Sequence, residues 1–175
     1  MVHGVNALFS KPESPRPGVL FVCLGNICRS PTAEAVFRER ALRAGLAHRL
    51  TIASAGTGDW HVGEPPDRRA ILHGRKRGYD LSRLRAQQVS RAHFDKFDWI
   101  LAMDRSNLRV LSQLKPAEYA GRLGLFLDFA PHLGVKEVPD PYYGGTQGFE
   151  QVLDLIEQAS DALIEQVRLE LRDRE

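Results

Sequence analysis

Cysteine is nearly absent: of 175 residues only Cys23 and Cys28 carry thiols. Two are too few for the disulfide framework of a small secreted domain, and they lack the four-ligand set of a structural zinc site. Histidine gives no metal signal either, because the six histidines are scattered singly with no His-x-x-x-His pair. Neither a metal nor a cofactor is therefore expected. No apolar run approaches the roughly 20 residues that a membrane-spanning helix needs. The stretch Met1 to Gly18 has neither the basic nor the apolar segment of a secretory leader. The expectation is a cytoplasmic protein with no membrane partner. What remains is ordinary for a folded globule, with 43% hydrophobic and 26% charged residues. A chain this long suits one domain that buries about 70% of its unfolded surface.

The net charge of +2 hides an asymmetry. Between Arg68 and Arg91 stand eight basic residues and one acid, Asp80, whereas between Gln147 and Glu175 eight acids face three arginines. Such runs are usually solvated helix faces, and the basic one also suits steering of an anionic ligand. Aromatic residues do not interleave with these arginines as a nucleic-acid stacking platform requires, so nucleic acid is not an expected partner.

Residues 1–17, with Pro12, Pro15 and Pro17 among polar neighbours, read as a loose N-terminal extension, leaving 18–175 as one domain. Val19-Leu20-Phe21-Val22 is a continuous apolar run of the kind a buried parallel strand shows. Ser30-Pro31 then suits an N-cap and first turn, and Ala33, Val36, Phe37, Ala41 and Ala44 recur at helical spacing until Gly45. Further strands are expected over Leu50–Ala55, Phe97–Met103 and Arg122–Phe129. Helices are expected over Pro66–Gly78, with Ala70 and Leu72 inward, and over Asp104–Leu114. One long last helix carries the stripe Phe149, Val152, Leu153, Ile156, Leu163, Val167 and Leu171. Strands alternating with helices imply an α/β fold, with a parallel sheet covered on both faces.

Ligands of such sheets bind beyond the carboxyl ends of the strands, where the next helix begins. Here that position reads Cys23-Leu24-Gly25-Asn26-Ile27-Cys28-Arg29-Ser30. Spacing alone is weak, since an Arg six places after either cysteine arises by chance in roughly one such composition in five. Placement strengthens it. A short loop running from a buried strand into a helix N-terminus aims backbone N–H groups inward, and the helix dipole adds positive potential, so a phosphate-sized dianion fits. Gly25 allows the tight turn. Arg29 can clamp two oxygens with its fork of donors, as Lys could not. Cys23, at the base of the nest and beside Arg29, sits where a thiolate nucleophile is favoured. Taken singly, each residue has a commonplace explanation: a small buried hydrophobe, a solvated arginine, a turn asparagine, an N-cap serine. Together after one buried strand they point to an anion site.

The segment Val19 to Glu34 resembles the signature of the low-molecular-weight protein tyrosine phosphatase family nearly in full. Similar segments recur at Ser54-Ala55-Gly56-Thr57, at Trp60-His61-Val62-Gly63 and at Met103-Asp104-Arg105-Ser106-Asn107-Leu108. Asp140-Pro141-Tyr142-Tyr143-Gly144-Gly145 resembles the loop carrying the family's general acid. The resemblance implies a three-layer, flavodoxin-like fold with a four-stranded parallel sheet in the order 2-1-3-4. It also implies phosphomonoester hydrolysis on phosphotyrosine proteins, opposed by a tyrosine kinase. Cys23 would attack phosphorus and form a phosphocysteine, with Arg29 and the loop residues Leu24, Gly25, Asn26, Ile27 and Cys28 holding the phosphoryl oxygens. The resemblance gives Asn26 the role of shaping the loop and Ser30 that of stabilising the thiolate. Asp140 would protonate the leaving phenolate and then serve as base, while Trp60, Tyr142 and Tyr143 would wall the cleft. Cys28 is expected to capture an oxidised Cys23 as a reversible disulfide. The resemblance fails at Ser82-Arg83-Leu84-Arg85-Ala86-Gln87-Gln88, where many relatives carry, in place of Leu84, a histidine that hydrogen-bonds the loop asparagine.

Two related chemistries are alternatives. Thioredoxin-linked arsenate reductases relay electrons through a further cysteine pair, and this chain has no cysteine after Cys28. Protein arginine phosphatases place a small Thr where this chain has Ile27, and a bulky apolar side chain there favours a flat aryl ring over a guanidinium. A phosphate-binding module without turnover would need neither the nucleophile nor the acid.

Overall fold

Every residue of the apolar run is buried, which makes it the central strand. In the computed structural model, which describes residues 16–175, β1 (Gly18–Cys23) lies between β2 (Thr51–Gly56) and β3 (Trp99–Ala102), and β4 (Arg122–Leu125) adds outside β3. All pairings are parallel and the order is β2-β1-β3-β4, as expected. The expected extension lies outside the described residues up to residue 15.

Strand alternation divides the core in two. Val19, Phe21 and Cys23 face one way, with Trp99 and Leu101, and pack under α1 (Arg29–Arg43) and α5 (Thr146–Arg172). Leu20 and Val22 face the other way, with Ile100 and Ala102, beneath Phe94 of α3 (Arg91–Lys96) and Leu111 of α4 (Arg105–Leu114). Phe21 meets Phe37 and Phe126 edge-on at centroid distances of 5.6 and 5.0 Å. Each such burial contributes roughly 1.5–3 kcal/mol. Three layers result, and Cys23 ends the central strand on the α1/α5 side.

Four local expectations change. The fourth strand stops at Leu125, because its partner β3 ends opposite, at Ala102, and Phe126–Phe129 turns as a 3-10 helix that plugs Phe126 and Leu127 into the core. The helix expected over Pro66–Gly78 is α2 (Arg68–Lys76), capped by Asp67, whose side chain accepts the Arg69 N–H. Leu72 of α2 is 50% exposed rather than inward, because α2 covers the α5 edge through Ala70, His73 and Gly74. Ser30 is not the N-cap of α1: the helix opens at Arg29 after Cys28, which leaves the serine hydroxyl for other work.

Candidate active site

The loop between β1 and α1 takes its shape from Asn26, the one non-glycine described residue with positive φ, at 56°. The left-handed step therefore falls on Asn26 and not on Gly25. Gly25 is small for another reason: a Cβ there would stand 3.2 Å from the His61 ring. The main-chain N–H of Gln87 donates to Asn26 Oδ1 at 3.0 Å, and an N–H can only donate, so the amide orientation is fixed. Nδ2 then donates to Ser30 Oγ at 2.7 Å and to Ser54 Oγ at 3.0 Å. Ser54 passes its own proton to buried Glu34 at 2.8 Å, and Arg38 holds Glu34 at 3.0 Å. The support expected from the missing histidine is thus replaced: Leu84 packs against the core, and the backbone amide of Gln87, three positions on, with Ser54, holds Asn26.

This chain of donors has a direction. Because Asn26 fills an acceptor position of Ser30, the one serine proton has two acceptors in reach, Cys23 Sγ at 3.0 Å and the Ala55 carbonyl at 3.4 Å, and a thiolate at Cys23 draws it to the sulfur. The Asn26 N–H reaches the same sulfur at 3.3 Å. Among the described residues no protein acceptor meets the N–H groups of Gly25, Ile27 and Cys28. With the first-turn amides of α1, which have no partner inside the helix, they are donors suited to an anion over Cys23. Cys28 is buried, and its thiol is pushed up, first by burial and then by the charge of Asp67, so it rests neutral beside that anion site.

Arg29 is buried and aimed. Its Nη1 donates to Asp104 at 2.6 Å and to the Val138 carbonyl at 3.0 Å. The other oxygen of Asp104 caps α4 by accepting the Asn107 N–H at 2.8 Å, so the carboxylate cannot turn away. Burial works against the Arg29 charge, but Cys23 and Asp104 outweigh it and raise its pKa. Nη2 lies 3.6 Å from Asp140 Oδ2 across the cleft. Asp140 begins a tight turn in which Oδ1 accepts the Tyr142 N–H at 3.0 Å.

Cys23, Leu24, Gly25, Ile27, Cys28, Arg29, Trp60, His61, Asp140, Tyr142 and Tyr143 line one cleft of about 300 Å³. Asn26 and Ser30 lie behind it, so every residue singled out from the sequence is brought to this place. The aromatic wall is open to solvent, with Tyr143 92% and Trp60 66% exposed. The Trp60 ring lies where a Cβ on Gly58 would be, which makes that glycine its seat. Several contributors were given no role from the sequence, although Ser54, His61 and Asp104 lie in segments that resemble the family. Asp104 reads as an N-cap, Ser54 as a strand residue, and His61, paired with Glu64 at 2.8 Å, as a surface histidine. Arg69 is another: it grips Asp67 through Nε and Nη2, each at 3.0 Å, donates to the Tyr142 carbonyl at 3.1 Å and stacks on the Tyr142 ring at 5.6 Å. Since the Asp67 N–H donates to Ile27 O at 2.8 Å, Arg69 ties the acid loop to the anion loop.

The chain is similar to known proteins. Residues 18–173 match the family model described as low molecular weight phosphotyrosine protein phosphatase. A low molecular weight protein-tyrosine-phosphatase of Streptomyces coelicolor is 45% identical over 159 residues, 89% of this chain and 96% of its own. The crystal structure of a protein tyrosine phosphatase from Entamoeba histolytica superposes with a TM-score of 0.83 at 39% identity, over 87% of this chain and 97% of that one. A Drosophila arginine phosphatase superposes with a TM-score of 0.80 at 28% identity, over 85% and 96% of the two chains.

Proposed function

The chain belongs to the low molecular weight phosphotyrosine protein phosphatase family, and on that premise we propose how its residues divide the work of hydrolysing phosphotyrosine. It is a protein tyrosine phosphatase, so its substrates are phosphotyrosine-containing proteins. We assign the phosphatase domain to residues 18–175, the cellular setting to the cytoplasm, and the opposing activity to a tyrosine kinase.

The observation that carries the residue assignment is the meeting of Cys23, Arg29 and Asp140 in one cleft, with the sulfur beneath the unpartnered loop amides. Cys23 thiolate attacks phosphorus in line, so the S–P bond forms as the P–O bond to the aryl group breaks. Asp140 gives its proton to the departing oxygen. Arg29 and the loop amides hold the equatorial oxygens throughout. Water then attacks the phosphocysteine, Asp140 takes a proton from it, the S–P bond breaks and phosphate leaves. Ser30 holds the thiolate by its hydroxyl proton in both half-reactions. Trp60, Tyr142 and Tyr143 stack on the ring of the substrate. Cys28 lines the same cleft as Cys23. It serves as the partner that condenses with a peroxide-oxidised Cys23 sulfenic acid, giving a disulfide and water. In Cys28→Ser, peroxide damage should no longer be reversed by a dithiol; equal recovery would make Cys28 a packing residue.

Ile27, at the cleft wall, supports an aryl substrate over phosphoarginine. Turnover of an aryl phosphate, phosphoarginine and arsenate under one set of conditions tests the reading. The aryl phosphate should be turned over fastest by far, and a faster rate on either rival would displace it.

A further inference from the structure

Six of the eight basic residues between Arg68 and Arg91 have no carboxylate within 4.0 Å among the described residues; only Arg69 and Arg77 are paired. On the outer face of α2, Arg68, Leu72 and Arg75 stand four and three positions apart, which places them on one stripe. All three are exposed. With Arg69 and Ile71 they line a groove of about 400 Å³, and Arg75 continues into a neighbouring hollow with Tyr79, Asp80 and Ser82. Leu72 is half-exposed between two cations that have no carboxylate partner among the described residues, so this face offers an apolar contact flanked by positive charge.

The groove is continuous with the catalytic cleft through one side chain. Arg69 lines the groove and also holds the carbonyl and ring of Tyr142, which walls the cleft. A polypeptide whose phosphotyrosine sits over Cys23, and which leaves the cleft past Tyr142, is delivered onto α2. We propose that the outer face of α2 docks the sequence flanking the phosphotyrosine and selects acidic residues on either side of an apolar one. This inference rests on the phosphatase reading and names the substrate class for the same site. Arg68 and Arg75 are about 10 Å apart along the helix at 1.5 Å per residue, a span an extended chain covers in three or four residues at about 3.3 Å each. The matching pattern is therefore acid, apolar residue, acid within about four positions. The apolar floor of Ile71 and Leu72 favours a peptide over a nucleic acid, for which the groove offers no aromatic platform.

The test compares phosphotyrosine peptides of equal length that carry an Asp-Leu-Ser-Asp block before or after the phosphotyrosine, or its neutral Ser-Leu-Ser-Ser counterpart. The proteins are the wild type and R68E/R75E, and p-nitrophenyl phosphate, too small to reach α2, is the control for folding and chemistry. The wild type should prefer one acidic peptide over its neutral counterpart by about tenfold in kcat/KM, and added salt should shrink the preference. R68E/R75E should lose it while p-nitrophenyl phosphate turnover stays at the wild-type rate. Equal kcat/KM for acidic and neutral peptides, or a preference that survives the charge reversal, would overturn the proposal. So would a peptide ranking that stands while R68E/R75E loses binding to phosphatidylserine vesicles or single-stranded DNA, since the face would then serve another polyanion. Failure of the wild type to hydrolyse p-nitrophenyl phosphate would strike the phosphatase reading itself, a different result from any of these.

Discussion

Asp140 and Cys23 line one cleft, and the division of labour proposed for them has a kinetic signature. A phenolate leaves poorly unless it is protonated as its bond breaks, so the acid matters in proportion to the basicity of the leaving group. Asp140→Asn should slow aryl phosphates with poor leaving groups by roughly 10²–10⁴-fold, and those with good ones far less. Steady-state rates over a leaving-group series check this, and an equal loss throughout would make Asp140 a turn residue. At this scale Cys23 and Arg29 were legible in sequence as a candidate site because strand, loop and helix fix their order, whereas Asp140 was reached only through the family resemblance. Their supports were not legible. The hydrogen bonds from Asn26 to Ser54, from Ser54 to Glu34 and from Arg29 to Asp104 join positions 20 to 75 residues apart. Only the folded sheet brings such partners together.

The end of β2 is an element-scale constraint on the loop. A Cβ on Gly56 would stand 2.8 Å from the Leu24 carbonyl and 3.1 Å from the Asn26 N–H nitrogen, both backbone atoms that cannot rotate aside. Gly56→Ala should therefore displace the anion loop. Overpacking of this kind costs about 1–3 kcal/mol of stability, and a catalytic group moved by about an ångström costs on the order of 10² in rate. Thermal unfolding and kcat measured side by side test it; an unchanged kcat would show that the loop yields without consequence. Elements were readable where periodicity was strong, as in β1 and the α5 stripe. They were misread where the deciding fact was tertiary: β4 ends when its partner ends, and Leu72 faces out because α5 occupies the other side of α2. The short α3 carries one buried apolar residue, Phe94, too little for a periodic signal.

Across the whole molecule, the acidic last helix is more than a solvated face. Glu157 accepts from Arg40 and Tyr79 and pairs with Arg77, which also holds Glu150 and Asp154. These contacts lace α1 and α2 to α5, and α2 carries the Arg69 grip on the acid loop. Hydrogen bonds from His73 and Arg77 hold Glu150 below its ordinary value of 4.5. Burial opposes the charge of Glu157, but Tyr79, Arg77 and Arg40 outweigh it and lower that group as well. Groups depressed on folding contribute stability that is complete above their unfolded value and drains as pH falls below it. The melting temperature should therefore fall as acid is added below about pH 4.5, and Glu157→Gln should melt lower at neutral pH with a shallower acid decline. A variant curve that parallels the wild type would show the lacing to be inert.

The central claim is that phosphate passes through a covalent bond to Cys23. In Asp140→Asn a good leaving group such as p-nitrophenolate departs without help, while hydrolysis of the intermediate loses its base, so the phosphoenzyme should accumulate. Acid quenching during turnover of p-nitrophenyl phosphate, followed by peptide mass spectrometry, should find one phosphoryl group on Cys23, and none in the Cys23→Ser, Asp140→Asn double variant. Phosphate on another residue, or substantial turnover in Cys23→Ser alone, would contradict the account.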